Sequence, residues 1–538
     1  YETMYNVVFP LLKAYNYPAV FAPVTGWLDT PANQKITYAD KMLDRSVFAT
    51  WSQVKEMEQS GLVEVASHTH NLHNGINANP SGGQLPSVIA PEYKNGKYET
   101  EDAYKNRLKS DFARTVQTLV NHIGKKPRVM VWPYGQFNDV AVQLARQAGM
   151  PHYFSLGEKI INKVGDKHIG RLLLNAETDL NTVKNYLDGI DESKQIQRVL
   201  HVDLDYVYDA DKAQQAKNLD KLIERIYRYG VTTVYLQAFS DPDGDGVADA
   251  LYFPNKYLPV RDDIFGRIAW QLQTRAGVQV YAWMPVLAFD LRKNVKEAEY
   301  VIDSRTGKPS TKAYLRLSPY NKQNVEIIKS IYNDLSFYAK FNGILFHDDA
   351  FLTDFEGAEG NHAEGMVSPQ AKQKTQDLIQ LTHQLTDALK PYFLRGSYSL
   401  KTARNLYASV ITNPNAEEWL AQNLKTLTDN YDTTAIMAMP YMENEQPISQ
   451  KEAYQWFASL IENVKAQAPL EKVLFEFQAV NWRTQKPIPE SELIDWMTLL
   501  QKNHIYSYGY YPDNFLTNQP DMNKMKPYFS VNTNAGKK

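Results

Sequence analysis

The sequence predicts an α/β protein in two parts: a parallel β/α domain over residues 1–190 and a TIM-type (β/α)8 barrel over residues 195–520. Three observations predict it. Up to about residue 190, helix-periodic and strand-like segments alternate, which argues for parallel strands with crossover helices. The stretch "LDGIDESKQIQ" (187–197) is polar and charged and breaks that pattern. After it come eight short apolar or aromatic segments flanked by helical patterns, spread over roughly 340 residues, the count and length a (β/α)8 barrel needs.

Each element has its own signal. Residues 3–15 read as a helix and "PAVFAP" (18–23) as a strand. "WSQVKEMEQSG" (51–61) reads as a helix closed by Gly61, followed by the strand "LVEVAS" (62–67). The stretch 74–100 is rich in Gly, Pro and Asn and reads as a long surface loop, a class of segment that is often functional. Residues 101–123 form a long amphipathic helix, 128–132 a strand, 138–149 a helix and 152–157 a strand. The eight barrel strands are expected at 198–208, 232–239, 278–289, 343–349, 393–400, 435–442, 473–480 and 505–512. Between the first two, Leu219, Leu222, Ile223 and Ile226 recur at helical spacing. Residues 521–538 are expected to be a C-terminal tail in coil.

Bulk composition excludes several classes. The 538 residues are 43% hydrophobic and 22% charged, an ordinary globular balance. No apolar run reaches the roughly 20 residues of a membrane helix. A net charge of −3 without a basic stripe gives no reason to expect nucleic acid. The absence of cysteine rules out disulfides, thiolate zinc sites and cysteine nucleophiles, and suits either the cytosol or a periplasm. Tyrosine (35) and tryptophan (9) are abundant; both offer flat faces with a polar tip, which suits sugar rings and also large α/β cores. The chain opens at once on a helical pattern with neither initiator Met nor signal-peptide pattern, which predicts a start inside a domain.

"SHTHNLH" (67–73) places three of the chain's 11 histidines at the C-terminal end of a predicted strand, the edge where parallel α/β folds bind ligands. His68 and His73 can turn back over one point as neutral imidazole ligands of a divalent metal. His70 is expected outside that pair. The competing reading is a solvated loop whose histidines cap backbone groups. A second strand ends in the turn Pro133-Tyr134-Gly135, whose N–H groups can receive an oxyanion.

Together these two pieces resemble carbohydrate esterase family 4, the metal-dependent polysaccharide deacetylases, and within it the PgaB-type poly-β-1,6-N-acetylglucosamine deacetylases. The resemblance rests on "SHTHNLH" and on "VWPYG" (131–135). It implies a deacetylase (β/α) barrel-like domain truncated at its start, His68 and His73 as metal ligands, and Pro133 and Tyr134 around the acetate pocket with the Tyr134 N–H as oxyanion donor. It implies a divalent ion, Zn, Ni, Co or Fe. The family's Asp-Asp pair, base and third ligand, is expected just before residue 1; a chain lacking it would be an impaired deacetylase. No spacing supports His122 or His168 as the general acid.

In the barrel, the C-terminal strand ends are rich in acids and aromatics: Asp203, Asp205, Gln237, Trp283, His347, Asp348, Asp349, Asp354, Tyr441, Glu443, Glu476, Tyr508, Tyr510 and Asp513. Neighbouring acids push their pKa values apart, which suits the acid and base of glycoside hydrolysis. The competing reading is aspartates that cap helices. "GILFHDDAFLTDFE" (343–356), "HVDLDYVYD" (201–209), "YLQAFSDPDGDG" (235–246) and "KTARNLYA" (401–408) are similar to the C-terminal domain of the same family, glycoside hydrolase family 153. That similarity implies an acid at Asp348 or Asp349, and a groove for partly deacetylated polymer lined by Asp205, Trp283, Asp354, Tyr441 and Glu476. It also implies a periplasmic, outer-membrane-anchored monomer that feeds a porin-type exporter. Two other readings are a barrel that binds polymer for export without cutting it, and a peptidoglycan or chitin deacetylase, which needs no barrel. "DPDGDGVADALY" (241–252) mimics a calcium loop but has Tyr252 where a bidentate Glu is required; it is read as a turn-rich loop.

Overall fold

A computed structural model describes residues 2–38, 41–157, 161–189, 196–310, 312–357, 367–396 and 399–531. Its contacts divide the chain into two compact units, one of Tyr1–Lys194 with Lys390–Ser399, the other of Gln195–Leu389 with Leu400–Lys538.

In the first unit, a π-helical turn Met4–Val8 continues as α1 (Phe9–Tyr15). Strand β1 (Ala19–Phe21) pairs in parallel with β2 (Val63–Val65). Between them runs α2 (Trp51–Gln59), opened by a capping box in which Thr50 and Gln53 bond each other's backbone N–H. Helix α3 (Glu101–Ile123) starts at a Thr100 cap, carries Glu101 and Asp102 in its first turn and stops at Gly124 in the left-handed region, as dipole and C-cap chemistry favour. Its buried face holds Tyr104, Leu108, Phe112 and Leu119. Strand β3 (Val129–Val131) pairs in parallel with β4 (His152–Leu156), and β4 with β5 (His168–Arg171). Helix α4 (Asp139–Gln147) lies between β3 and β4 in sequence, and a parallel bridge from Ser67 to Met130 joins the two groups of strands. The stretch 74–100 holds two short hairpins, 75–77 with 84–86 and 93–94 with 97–98.

The second unit is a closed eight-stranded parallel barrel. Its strands run in chain order: β6 (Arg198–Val202), β7 (Thr233–Gln237), β8 (Gln279–Met284), β9 (Gly343–Phe346), β10 (Lys401–Tyr407), β11 (Thr433–Met437), β12 (Val473–Gln478) and β13 (Tyr508–Tyr511). Strand β6 pairs with both β7 and β13, which closes the ring. Helix α5 (Lys212–Tyr229) buries Leu219, Leu222, Ile223 and Ile226 as the spacing predicts.

Two expectations fail. The fifth strand is not 393–400 but β10: residues 390–396 pack into the first unit, where Arg395 bridges Phe137 in antiparallel fashion, and residues 397–398 lie outside the described residues. Residues 521–538 do not begin as coil: α6 (Met522–Phe529) buries Met525 and Phe529. The Phe529 ring lies 4.9 Å from Tyr229 and 5.4 Å from Tyr510. Among the described residues, no helix is long and apolar enough to cross a membrane.

Candidate active sites

The first site grows from the end of β2. Past Val65 the chain stays pinned: Ser67 N–H donates to Val129 O (3.0 Å) and His68 N–H to Pro23 O (3.2 Å). Thr69 then takes a left-handed conformation (φ 69°) and reverses the chain. Asp111, from α3, accepts the next two N–H groups, His70 at 2.8 Å and Asn71 at 2.7 Å. Burial pushes its carboxyl up to about 6 against those two bonds. The loop is therefore pinned by bonds to the neighbouring strands and to α3, which disfavours the reading of a loosely solvated loop.

This path sets His68 and His73 side by side, ring centroids 5.0 Å apart. His68 Nδ1 lies 2.6 Å from Val131 O, so Nδ1 carries the proton and Nε2 keeps its lone pair, the usual orientation of a metal-binding imidazole. His73 Nδ1 is buried with no partner from another residue. Burial, then the neighbouring His73 and Arg171, bring His68 down to about 4; burial lowers His73 as well. Both rings are neutral at pH 7. Two imidazoles on one tetrahedral ion place each centroid about 3.2 Å from the metal and about 5 Å from each other. The pair fits a divalent ion on spacing, protonation and an orphaned nitrogen. Among the described residues, no third donor forms a cluster with them. His70 bonds the Thr25 hydroxyl (2.9 Å) and braces the loop. His122 stacks on Trp51 (4.2 Å) and His168 bonds Ser155 (2.6 Å).

The Pro133–Gly135 turn borders the pair. The Tyr134 ring stands 4.4 Å from His73, and Trp27 flanks the same imidazole at 5.1 Å. Pro133 is buried and Tyr134 is 43% exposed. Tyr134 has φ 58°, a strained conformation for a side chain this large. The turn's own bonds run from Gly135 N–H to Trp132 O and from Gln136 N–H to Pro133 O; neither uses the Tyr134 N–H.

The second site is a cavity of about 420 Å³ at the C-terminal ends of the barrel strands. Asp348 lines it, buried, and accepts hydrogen bonds from Tyr407 (2.8 Å), Tyr314 (3.0 Å) and His347 Nε2 (3.0 Å). Burial pushes the Asp348 carboxyl up, but the imidazolium and the two phenols outweigh it and hold it below its ordinary value. Asp349 turns away and is fully buried. Its carboxylate accepts the backbone N–H groups of Val286 (3.0 Å), Leu287 (2.6 Å) and Ala288 (2.6 Å). It staples the loop after β8 and does not line the cavity.

The remaining predicted residues divide. Trp283 and Glu476 line the cavity. Glu476 bonds His201 (2.5 Å) and Asn405 (2.7 Å), and Trp283 Nε1 is buried without a partner. Asp205 lines it too, but its oxygens are taken by Arg261, Tyr252, Ser240, Gln237 and the Asp241 N–H. Tyr441 and Asp354 are not among the cavity's lining residues; the Tyr441 hydroxyl donates to Glu492 at 2.5 Å. Asp513 pairs with Arg225 away from the cavity. Asp203, read only as one strand-end acid among many, is the residue that sequence reasoning underrated. It lines the cavity, Oδ1 is buried without a partner, and Oδ2 accepts only a long bond from Tyr511 (3.4 Å). Burial, then Asp205, push its carboxyl up to about 7. Tyr314 was missed outright; it sits in a long loop with no periodic signal. The 241–246 segment is the turn-rich loop expected, with Asp241 accepting the N–H groups of Gly244, Asp245 and Gly246.

Known proteins match both units. Residues 1–153 match the polysaccharide deacetylase family model, and residues 201–511 match the model described as hypothetical glycosyl hydrolase family 13. A poly-beta-1,6-N-acetyl-D-glucosamine N-deacetylase of Escherichia coli K12 is 40% identical over 99% of this chain and 82% of its own length. The PgaB (BpsB) glycoside hydrolase domain of Bordetella bronchiseptica is 38% identical, covering 63% of this chain and all of that one, with a TM-score of 0.57. A de-N-acetylase of Aggregatibacter actinomycetemcomitans is 65% identical, covering 35% of this chain and 71% of that one, with a TM-score of 0.34.

Proposed function

The chain belongs to the poly-β-1,6-N-acetyl-D-glucosamine N-deacetylases that carry a glycoside hydrolase domain, and on that premise we propose how its residues divide the chemistry. The first unit removes acetyl groups from the polymer, and the barrel holds and cleaves the partly deacetylated product.

In the first unit, His68 and His73 would hold a divalent ion; Zn, Ni, Co and Fe all suit imidazole donors. When bound, such an ion would supply a water of lowered pKa and polarise the acetamide carbonyl. The described residues supply positioning, while the resemblance assigns the water's proton to the Asp-Asp pair placed before residue 1. Val131 O fixes the His68 ring, burial keeps both imidazoles neutral, and Pro133 with the Tyr134 ring shapes the acetyl pocket. The Tyr134 N–H donates to the carbonyl oxygen as charge grows there.

In the barrel, two acids are pushed apart in pKa, and such a split assigns acid and base. Asp203, raised to about 7, gives its proton to the departing glycosidic oxygen, and a water takes that oxygen's place on the anomeric carbon and returns a proton to Asp203. Asp348, kept ionised by His347, Tyr314 and Tyr407, faces the developing positive charge of the sugar ring. The resemblance of the motifs supports a periplasmic, outer-membrane-anchored monomer that passes polymer to a porin-type exporter; fractionation and crosslinking in cells check that part.

The observation that carries the deacetylase reading is the facing pair of neutral imidazoles beside Tyr134. Its test is amine release from acetylated polymer with each metal, for wild type and His68→Ala. Equal release by both sinks it. For the barrel, partly deacetylated polymer that binds but never shortens would leave a binding module for export in place of a glycosidase.

A further inference from the structure

Residues 390–396 are encoded between barrel strands β9 and β10 but pack within the first unit. They follow the helix Pro369–Leu389 and lie against the stretch that begins at the Pro133–Gly135 turn. Phe137 N–H donates to Arg395 O (3.1 Å), Arg395 N–H to Phe137 O (2.8 Å), and Val140 N–H to Pro391 O (3.2 Å). The Arg395 guanidinium reaches Asp139 (2.7 Å) and covers the Phe137 ring. The Tyr392 hydroxyl donates to Glu101 at the start of α3.

Gly396 makes the closest approach. Its φ is 139°, and a β-carbon on it would stand 2.3 Å from Gly135 O and 3.4 Å from the Gln136 Cα. Gly135 is itself left-handed (φ 70°), and a β-carbon there would meet Leu156 at 2.7 Å. The Tyr134 peptide is thus strained, and the residue after it is boxed between Leu156 on one side and Gly396 on the other. Strained backbone persists only where its surroundings over-determine it.

We propose that residues 390–396 are a positioning segment for deacetylation, and that the Gly396–Gly135 contact sets where the Tyr134 N–H points. The inference rests on the Tyr134 role given above. It makes seven residues of the barrel's sequence part of the deacetylation machinery of the other unit.

The test is Gly396→Ala in the full-length protein. Restoring ordinary contact at 3.4 Å moves the two backbones apart by about 1 Å, and a misplacement of that size costs about 100-fold in rate. The expected result is a kcat for deacetylation lower by about 10- to 100-fold, with KM, bound metal per chain and cleavage of chemically deacetylated polymer by the barrel all near wild type. A kcat within about twofold of wild type overturns the proposal, because the donor is then in place without Gly396. So does a kcat loss matched by an equal loss of bound metal, because the unit has then lost its fold. Arg395 provides a second arm if Gly396→Ala folds poorly. Arg395→Ala should lower kcat, and Arg395→Lys, which keeps the charge opposite Asp139, should recover most of it; equal kcat in all three overturns the proposal. A wild-type protein that releases no amine overturns the deacetylase reading as well, so the two failures are distinguishable.

Discussion

Asp348 and Asp349 are neighbours in sequence with opposite surroundings. Successive side chains at a strand end point to opposite sides, so one faces the cavity and the other the loop after β8. Asp348→Asn is expected to stop polymer cleavage and leave the unfolding midpoint near wild type. Asp349→Ala leaves three buried backbone N–H groups without an acceptor and should cost about 3 kcal/mol or more, read from denaturant unfolding. If Asp349→Ala unfolds like wild type, the staple is not structural. Asp203 carries a pH prediction. Its carboxyl is raised to about 7, so the proton is present below that pH and lost above it. Cleavage by the barrel should fall as pH rises through about 7, and Asp203→Asn should lower kcat by 100-fold or more, on the order of general acid catalysis, and abolish that alkaline limb. An alkaline limb that survives in Asp203→Asn removes Asp203 from the acid's role. At this scale the sequence was informative about His68 and His73, because spacing on a strand end is a geometric statement. It was silent on which aspartate works, because that depends on orientation and on donors such as Tyr314 and Val286 far away in the chain.

Among elements, seven barrel strands were legible as apolar runs because a parallel strand is buried on both faces. The fifth was not. "FLRGSYSL" looks like a strand, but its first four residues pack in the other unit, whereas β10 carries Arg404, fully buried, whose guanidinium donates to the Tyr431 hydroxyl and Ala350 O. A charge inside a barrel is affordable only with such partners, and no local pattern announces them. The 241–246 loop shows how a connection tunes a site. Gly246 (φ 80°) lies so near Tyr314 that a β-carbon would stand 2.0 Å from its ring, whereas Gly244 (φ 74°) has open space. Gly246→Ala should push Tyr314 off Asp348. Losing one hydrogen bond to a charged group is worth about 1.5–3 kcal/mol, so cleavage should drop about 10-fold or more. Gly244→Ala, strained but unobstructed, should cost far less. Equal effects of the two would show that backbone strain, not the contact with Tyr314, matters in this loop.

For the whole molecule, two hydrolases in one chain impose an order, and charge decides it. Asp205, Asp241, Asp245, Asp348 and Glu476 line the barrel cavity beside Asp203, which holds its proton below about pH 7; the imidazolium of His347 faces them, and no Lys or Arg is among the lining residues. Such a cavity favours the ammonium of a glucosamine over the neutral acetamide it replaces. Acetylated polymer should therefore be shortened only after amines appear, and a chelator or His68→Ala should block both events. Chemically deacetylated polymer bypasses the first step: His68→Ala should shorten it at the wild-type rate, and Asp348→Asn should not. Electrostatic selection also has a salt signature. The Debye length falls from about 10 Å at 0.1 M to about 3 Å at 1 M, so KM for deacetylated polymer should rise with salt while kcat holds, because the buried Asp348 and its phenol donors are screened far less than the ammonium on approach. A KM indifferent to salt, or a barrel that cleaves fully acetylated polymer as fast as the deacetylated form, would mean that the cavity reads the shape of the sugar and not its charge, and the order of the two reactions would then have to be set by something other than the acids at the barrel's mouth.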